Sequence, residues 1–195
     1  MAVKAIIFDC FGVLYRDASR DFYEQQVPRY AELRPQLTDL NKMADYGLIT
    51  QDEWFRQVAD VTGFPLAQVR EYIQSEQVRN QVLLEYMQGL RPSYKVGLLS
   101  NIGIGVMDQF FPPDERAQLF DAVVLSGEVG LIKPHPEIFH IAAERLGYAP
   151  GECVMIDDRE DNCSGADAAG MQAIFYQDNH QLQQDLALLL EGDHA

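Results

Sequence analysis

Five short apolar runs punctuate the chain: VKAIIFD (3–9), KVGLLS (95–100), DAVVLS (121–126), ECVMID (152–157) and QAIFY (172–176). Each has the length of a buried strand, and the first four end on a polar side chain. Between the later runs lie segments of helical period. PEIFHIAAERLG (136–147), for example, sets Ile138, Ile141, Ala142 and Leu146 on one helix face. Strand and helix in alternation predict an α/β fold, a parallel sheet with helices on both faces. Ligands of such sheets bind beyond the carboxyl ends of the strands. Asp9, Ser100, Ser126, Asp157 and Asp158 are therefore expected along one sheet edge.

One interval breaks the alternation. From about residue 17 to about residue 80 the chain is helical in pattern, mostly polar, and contains no convincing strand. ITQDEW (49–54) marks a helix start: Thr50 and Glu53 have the spacing of a capping box, Ile49 and Trp54 that of a hydrophobic staple. This helix is expected to bury Trp54, Phe55, Val58 and Val61 and to end at Gly63, with Pro65 in the first turn of the next. The expected division is a core of residues 1–16 and 81–195 and a helical cap of residues 17–80, inserted directly after the first strand. An insert in that place is expected to cover the strand-end site, the alternative being plain helical decoration of a single domain. The final EGDHA (191–195) is expected to fray.

Composition narrows the setting. A chain of 195 residues, 47% hydrophobic, supports one well-packed core and a small satellite. A net charge of −15 argues against a nucleic-acid partner, which calls for a basic footprint. Cys10, Cys153 and Cys163 lack zinc spacing and read as free thiols in a reducing compartment. The apolar AIIF stops at once at Asp9, too short for a signal segment, and no apolar stretch approaches the ~20 residues of a membrane span. The expected location is cytoplasmic.

Four polar stretches carry the candidate chemistry. Asp9 ends the first run, and Gly12 permits a tight turn behind it. Ser100 and Asn101 end the second; a hydroxyl and backbone N–H groups there suit an anion, although an ordinary helix cap uses the same residues. The nearby Gly103 and Gly105 do not extend to a dinucleotide fingerprint, because Asp108 holds the third glycine position. GLIKPHPEIF (130–139) fixes Lys133 in a stiff loop, from which a lysine can deliver a point charge to a phosphate, although taken alone Lys133 reads more simply as a solvated surface lysine. VMIDDREDN (154–162) sets adjacent carboxylates after an apolar run, with Asn162 at the head of a helix. Neither register has the turn glycine and closing glutamate of a calcium loop. Adjacent strand-end acids facing Asp9 repel one another unless a cation intervenes. A magnesium ion held by a few carboxylates, water and a substrate phosphate resolves that repulsion.

Taken in order, strand-Asp, strand-Ser, Lys-Pro and strand-Asp-Asp resemble the signature motifs of the haloacid dehalogenase superfamily. The resemblance rests on IIFDCFGVL, LLSN, GLIKPHPEIF and MIDDREDNCSGADAAGM and spans essentially the whole chain. It is with the subgroup that carries a small helical cap between the first and second motifs, on a Rossmann-like core. The resemblance implies that Asp9 is a nucleophile forming a covalent aspartyl intermediate. It implies that Ser100 holds a transferring oxygen with Asn101 beside it, and that Lys133 offsets charge on Asp9 and the phosphoryl oxygens. Mg2+ would be held by Asp9, the backbone carbonyl of Phe11, Asp157 and Asp158, with Gly12 supporting and Asn162 orienting the acidic loop.

Phe11 departs from the phosphatase pattern. That branch usually has an aspartate there, which protonates the leaving alcohol and then activates water. The dehalogenase branch typically has an aromatic, because a halide leaves without protonation. Dehalogenases, however, work without a metal and replace the acidic pair with neutral residues, whereas Asp157 and Asp158 are both retained here. At ~4 Å and an effective dielectric of about 20, each unpaired like-charge contact costs about 4 kcal/mol before screening. The acidic pair therefore outweighs the aromatic. The expected activity is a Mg-dependent phosphatase acting through an aspartyl-phosphate on a small phosphorylated metabolite. Acid–base help is worth ~10²–10⁴ in rate, so a stabilised leaving oxygen is expected: a sugar 1-phosphate, an acyl phosphate or an aryl phosphate. Asp17 or Asp21 is a lesser candidate for the missing acid. A carbon–halogen hydrolase and a catalytically silent binding protein are the alternatives. Arg16, Arg20, Arg29, Trp54 and Arg56 are candidate pocket contacts from the cap, with Arg16 and Arg20 expected as solvated helix residues.

Overall fold

The computed structural model describes residues 2–192. Strands β1 (Ala5–Phe8), β2 (Lys95–Ser100), β3 (Ala122–Leu125), β4 (Cys153–Asp157) and β5 (Gln172–Phe175) come from the five apolar runs. They form one sheet in the order β3-β2-β1-β4-β5, and every neighbouring pair is parallel. Two of the runs are trimmed at their polar ends, while β2 keeps Ser100 and β4 keeps Asp157. Asp9 falls just past β1, and Ser126 opens a short helix instead of closing β3.

The helices are α1 (Ala18–Gln26), α2 (Tyr30–Asp45), α3 (Gln51–Thr62), α4 (Leu66–Ser75), α5 (Gln81–Leu90), α6 (Pro113–Leu119), α7 (Ser126–Val129), α8 (Pro136–Leu146), α9 (Glu160–Ala168) and α10 (Asn179–Gly192). Alternate strand residues point to opposite sheet faces. Ile6, Phe8, Val96, Leu98, Val154 and Ile156 pack with α5 and α10. Ala5, Ile7, Leu99, Cys153 and Met155 pack with α8 and α9 on the other side. Burial on both faces is why these strands are nearly pure apolar runs. The register sets Phe8 level with Leu98 and Ile156, and the pairing continues where the Asp9 N–H donates to the Ile156 carbonyl at 2.9 Å. Asp9 and Asp157 therefore leave the sheet side by side.

Helices α1 to α4 gather around a third apolar cluster that includes Phe22, Leu37, Leu40, Phe55, Val58, Val69 and Ile73. Helix α3 starts at the expected capping box. The Glu53 N–H donates to Thr50 Oγ1 at 3.2 Å, and the Thr50 N–H donates to the Glu53 carboxylate at 2.8 Å. Gly63 is its C-cap, and Pro65 directly precedes α4. The innermost residues of α3 are Phe55, Val58 and Ala59; Trp54 and Val61 lie at the margin, contrary to expectation. The indole explains the shift for Trp54, since its Nε1–H donates to Asn41 Oδ1 at 2.9 Å and a buried indole needs such a partner. At the other end of the chain, Glu191 and Gly192 continue α10 where fraying was expected, and residues 193–195 lie outside the described residues. Cys10, Cys153 and Cys163 are all unpaired thiols. Among the described residues no helix is long and apolar enough to cross a membrane.

Candidate active site

The carboxyl ends of β1, β2 and β4 and the loop before α8 converge on one buried cation. Lys133 Nζ lies 2.8 Å from Asp9 Oδ1 and 2.6 Å from Asp157 Oδ2, and donates to the Leu99 carbonyl at 3.0 Å. These three contacts use all three ammonium hydrogens. The Lys133 loop is held by Asn101, whose Oδ1 accepts from the Lys133 N–H at 2.8 Å while its Nδ2 donates to the Lys133 carbonyl at 3.0 Å. The Asn101 amide thus holds the lysine loop through its oxygen and one of its two N–H groups. Asp157 is braced in turn. Its Oδ1 accepts from Asn162 Nδ2 at 2.9 Å and from the Arg159 N–H at 3.0 Å. Asn162 sits inside the first turn of α9, behind Glu160, and not at the helix head. Asp9 Oδ1 also accepts from the Cys10 N–H at 2.7 Å.

Burial alone would lower the Lys133 pKa, but Asp157 and Asp9 outweigh it and hold the ammonium above the ordinary lysine range. The opposite balance holds at Asp9. Burial pushes its carboxyl well up against the pull of Lys133, with Asp157 and then Asp158 adding to the push. Burial also raises Asp158, against the pull of Arg20. The cluster is therefore short of positive charge.

A hard divalent cation fits that shortage. Asp9, Asp157 and Asp158 each offer an oxygen, all within 4.8 Å of one another. Asp158 Oδ1 is buried without a hydrogen-bond partner. An all-oxygen donor set of carboxylates suits magnesium. Gly12 makes the geometry possible: at φ +91° it turns the chain so tightly over the cluster that a Cβ there would stand 2.1 Å from Asp158 Oδ2. Phe11 bridges Tyr15 through the neighbouring groups, Tyr15 N–H to Cys10 carbonyl at 2.8 Å and Gly12 N–H to Tyr15 carbonyl at 2.6 Å. The Phe11 carbonyl lies outside that pairing. Its ring packs edge-on against Phe110, centroids 4.8 Å apart, as part of an aromatic cluster with Tyr15 and Phe111. Ser100 Oγ is buried at the end of β2 and has no partner, as a hydroxyl reserved for a ligand would be.

Helix α1 reaches the site differently from the expectation. Arg20 is not a solvated helix residue: its guanidinium pairs with Asp158 and lies 3.5 Å from Asp17. The reason is local. Asp17 caps α1, accepting from Ser19 Oγ at 2.7 Å and the Arg20 N–H at 3.1 Å, and this helix start turns Arg20 back over the sheet edge. Arg16, just before α1, turns away from the cluster and lies 2.5 Å from both Asp21 and Glu76. Arg29 is exposed and pairs with Glu32, and Arg56 is exposed. Ser126 does lie at the sheet edge, but as a fastener. Its Oγ accepts from the Ile102 N–H at 2.8 Å and donates to the Asp45 carbonyl of α2 at 2.6 Å. No spacing along the chain signals that tie, nor the approach of Asp45.

A family model of haloacid dehalogenase-like hydrolases matches residues 3–170, and the chain belongs to that family. Over 206 aligned residues it is 28% identical to D-ribitol-5-phosphate phosphatase of Bacteroides thetaiotaomicron, with 97% of this chain and 100% of that protein covered. It is 27% identical to a phosphatase of Mycobacterium tuberculosis, across 89% of this chain and 87% of that one. A solved structure of a haloacid dehalogenase family enzyme from Bacteroides thetaiotaomicron, in complex with magnesium and inorganic phosphate, is similar with a TM-score of 0.71. Its sequence identity is 27%, covering 93% of this chain and 99% of that one.

Proposed function

We propose that the protein is a magnesium-dependent phosphatase that hydrolyses small phosphorylated metabolites of the sugar or polyol phosphate class through an aspartyl-phosphate on Asp9. One observation carries this reading: a buried Asp9–Lys133–Asp157 array with Asp158 alongside, rich in carboxylate oxygen and short of positive charge. The named activity of the ribitol phosphatase relative supports the substrate class. Three carboxylates in one pocket argue against a metal-free haloacid site, where they would oppose the substrate's own carboxylate. We assign residues 1–16 and 81–195 to the hydrolase core and residues 17–80 to the cap. The three unpaired thiols suit a cytoplasmic setting.

In this mechanism magnesium, when bound, supplies Lewis-acid stabilisation of phosphoryl charge. Asp9, oriented by the Cys10 N–H and by Lys133, attacks phosphorus. Lys133 stays protonated and offsets the charge that develops on the phosphoryl oxygens. Ser100 donates its unpartnered hydroxyl to one of those oxygens. Asn101 holds the Lys133 backbone and Asn162 fixes Asp157.

Phosphate release from p-nitrophenyl phosphate and D-ribitol 5-phosphate, measured with magnesium and with chelator, tests the reading. Release should require magnesium, and Asp9→Asn should lower it by at least about 10⁴-fold, as for other nucleophile deletions. Halide release from a haloacid in the presence of chelator would overturn the assignment.

A further inference from the structure

Hydrolysis of a polyol phosphate needs one more part. Such a substrate expels a basic alkoxide, and that oxygen needs a proton. Residue 11 cannot give it, because Phe11 carries no proton donor and its ring is built into the aromatic cluster. The two carboxylates expected to stand in are engaged: Asp17 caps α1, and Asp21 pairs with Arg16. Asp157 is held by Lys133, Asn162 and the Arg159 N–H.

One further carboxylate stands at the junction of cap and core. Asp45 is the last residue of α2, and that helix end is clamped to the loop following Ser100 and Asn101. The Asp45 carbonyl accepts from Ser126 Oγ, which itself accepts from the Ile102 N–H. The adjacent Ala44 carbonyl lies so near Gly103 that a Cβ there would stand 3.0 Å from it. A side chain on this helix end is carried by a rigid element, not a mobile loop. The Asp45 carboxyl is partly buried and makes no hydrogen bond or ion pair with any described residue. Charged groups from three other elements act on it: Lys133 from the loop before α8, Asp17 from the N-cap of α1, and Arg159 from the N-cap of α9. Burial pushes it up to about 7; Lys133 and Arg159 pull it down, and Asp17 adds to the push. Such a carboxyl exchanges its proton readily near neutrality.

We propose that Asp45 is the acid–base residue of this enzyme, so that the cap supplies the proton that residue 11 cannot. In the first step an Asp9 carboxylate oxygen bonds to phosphorus as the bond from phosphorus to the leaving oxygen breaks. That oxygen keeps the electron pair, takes the Asp45 carboxyl proton and departs as the alcohol. In the second step the Asp45 carboxylate takes a proton from water while the water oxygen bonds to phosphorus. The bond from phosphorus to Asp9 breaks, its electron pair returns to the Asp9 carboxylate, and Asp45 is again protonated. One water is consumed and one ester bond cleaved. The proposal rests on the phosphatase reading above.

The test compares kcat/KM for D-ribitol 5-phosphate, whose leaving group needs a proton, with that for p-nitrophenyl phosphate, whose leaving group does not. Wild type, Asp45→Asn and the double variant Asp45→Asn with Phe11→Asp are measured with magnesium across the neutral pH range. Asp45→Asn should lose ~10²–10⁴-fold on the alkyl ester and less than about tenfold on the aryl ester. An acid must be protonated to act, so wild-type alkyl turnover should fall as pH rises through the Asp45 titration. That limb should be absent from the aryl profile, and absent altogether in Asp45→Asn. Phe11→Asp should restore part of the lost alkyl activity. The wild-type profiles carry the test even where the variant is unstable in thermal melts. Equal losses on both esters, no loss, or a limb shared by both substrates would overturn the proposal and leave the phosphatase reading standing. A wild type without magnesium-dependent turnover of either ester would overturn both.

Discussion

The acidic cluster is met by one cation from each part of the molecule. Lys133 comes from the strand-end core; its side chain is 1% exposed, and its three hydrogens go to Asp9, Asp157 and the Leu99 carbonyl. Arg20 comes from the helical insert; its side chain is 36% exposed and is shared between Asp158 and Asp17. The charges are equal but the physics is not. Removing a buried partner strands the carboxylates it neutralised, whereas water can fill the place of a partly exposed one. The core thus contributes charge that the fold requires, and the insert contributes charge that can be exchanged.

The largest effect is expected where the burial is deepest. Lys133→Ala leaves Asp9 and Asp157 facing each other without their cation. Urea denaturation in chelator should show a loss of about 3–5 kcal/mol, the cost of breaking a buried pair by removing one partner. A loss below about 1 kcal/mol would place Lys133 in the same class as an exposed pair and dissolve the contrast between the two cations.

Gly12→Ala probes the loop between these extremes. The new methyl meets Asp158 Oδ2 at 2.1 Å, and the φ of +91° is one that alanine adopts only with strain. A stability cost of about 1–3 kcal/mol is expected from the backbone. Asp158 must also move, so magnesium affinity measured by calorimetry should fall together with stability. Unchanged affinity would show that the position of Asp158 is set from the cap side, by Arg20, and not by the turn.

The two regions also differ in how far the sequence reveals them. Buried parallel strands are apolar runs, and the polarity that ends each run marks the site edge. Asp9, Ser100, Ser126, Asp157 and Asp158 were therefore legible along one edge, whereas Lys133 ends no apolar run and joined them only through the order of the motifs. Asn101 was visible in place but not in action, because its bond to the Lys133 backbone joins two loops far apart in the chain. The contributions of the insert were not visible. Arg20 and Asp45 stand on helices among many charged residues, and only tertiary placement distinguishes them from a solvated face. Trp54 shows the same limit: its margin position follows from a bond to Asn41 on another helix, which helical period does not encode.

The smallest effect is expected at Arg20. Arg20→Ala removes a half-exposed ion pair to Asp158 and a longer contact to Asp17. Such pairs contribute about 0–1 kcal/mol, so the melting temperature should barely move. The magnesium titration should move the other way. The guanidinium occupies Asp158 Oδ2, an oxygen of the carboxylate that the cation would take. A metal entering the cluster can take the free Asp158 Oδ1, but it shares the carboxylate's charge with Arg20 and meets the repulsion of a neighbouring cation. Relief of up to about 1 kcal/mol corresponds to an affinity gain of up to about fivefold, since each 1.4 kcal/mol is tenfold. Calorimetric titration of Arg20→Ala against wild type reads this directly, with Arg20→Lys as the charge-conserving control. Tighter binding in the alanine variant would make Arg20 a placeholder for the metal. Weaker binding would mean that Arg20 holds Asp158 in position for the metal, and the insert would then be as obligatory to the site as the strand ends.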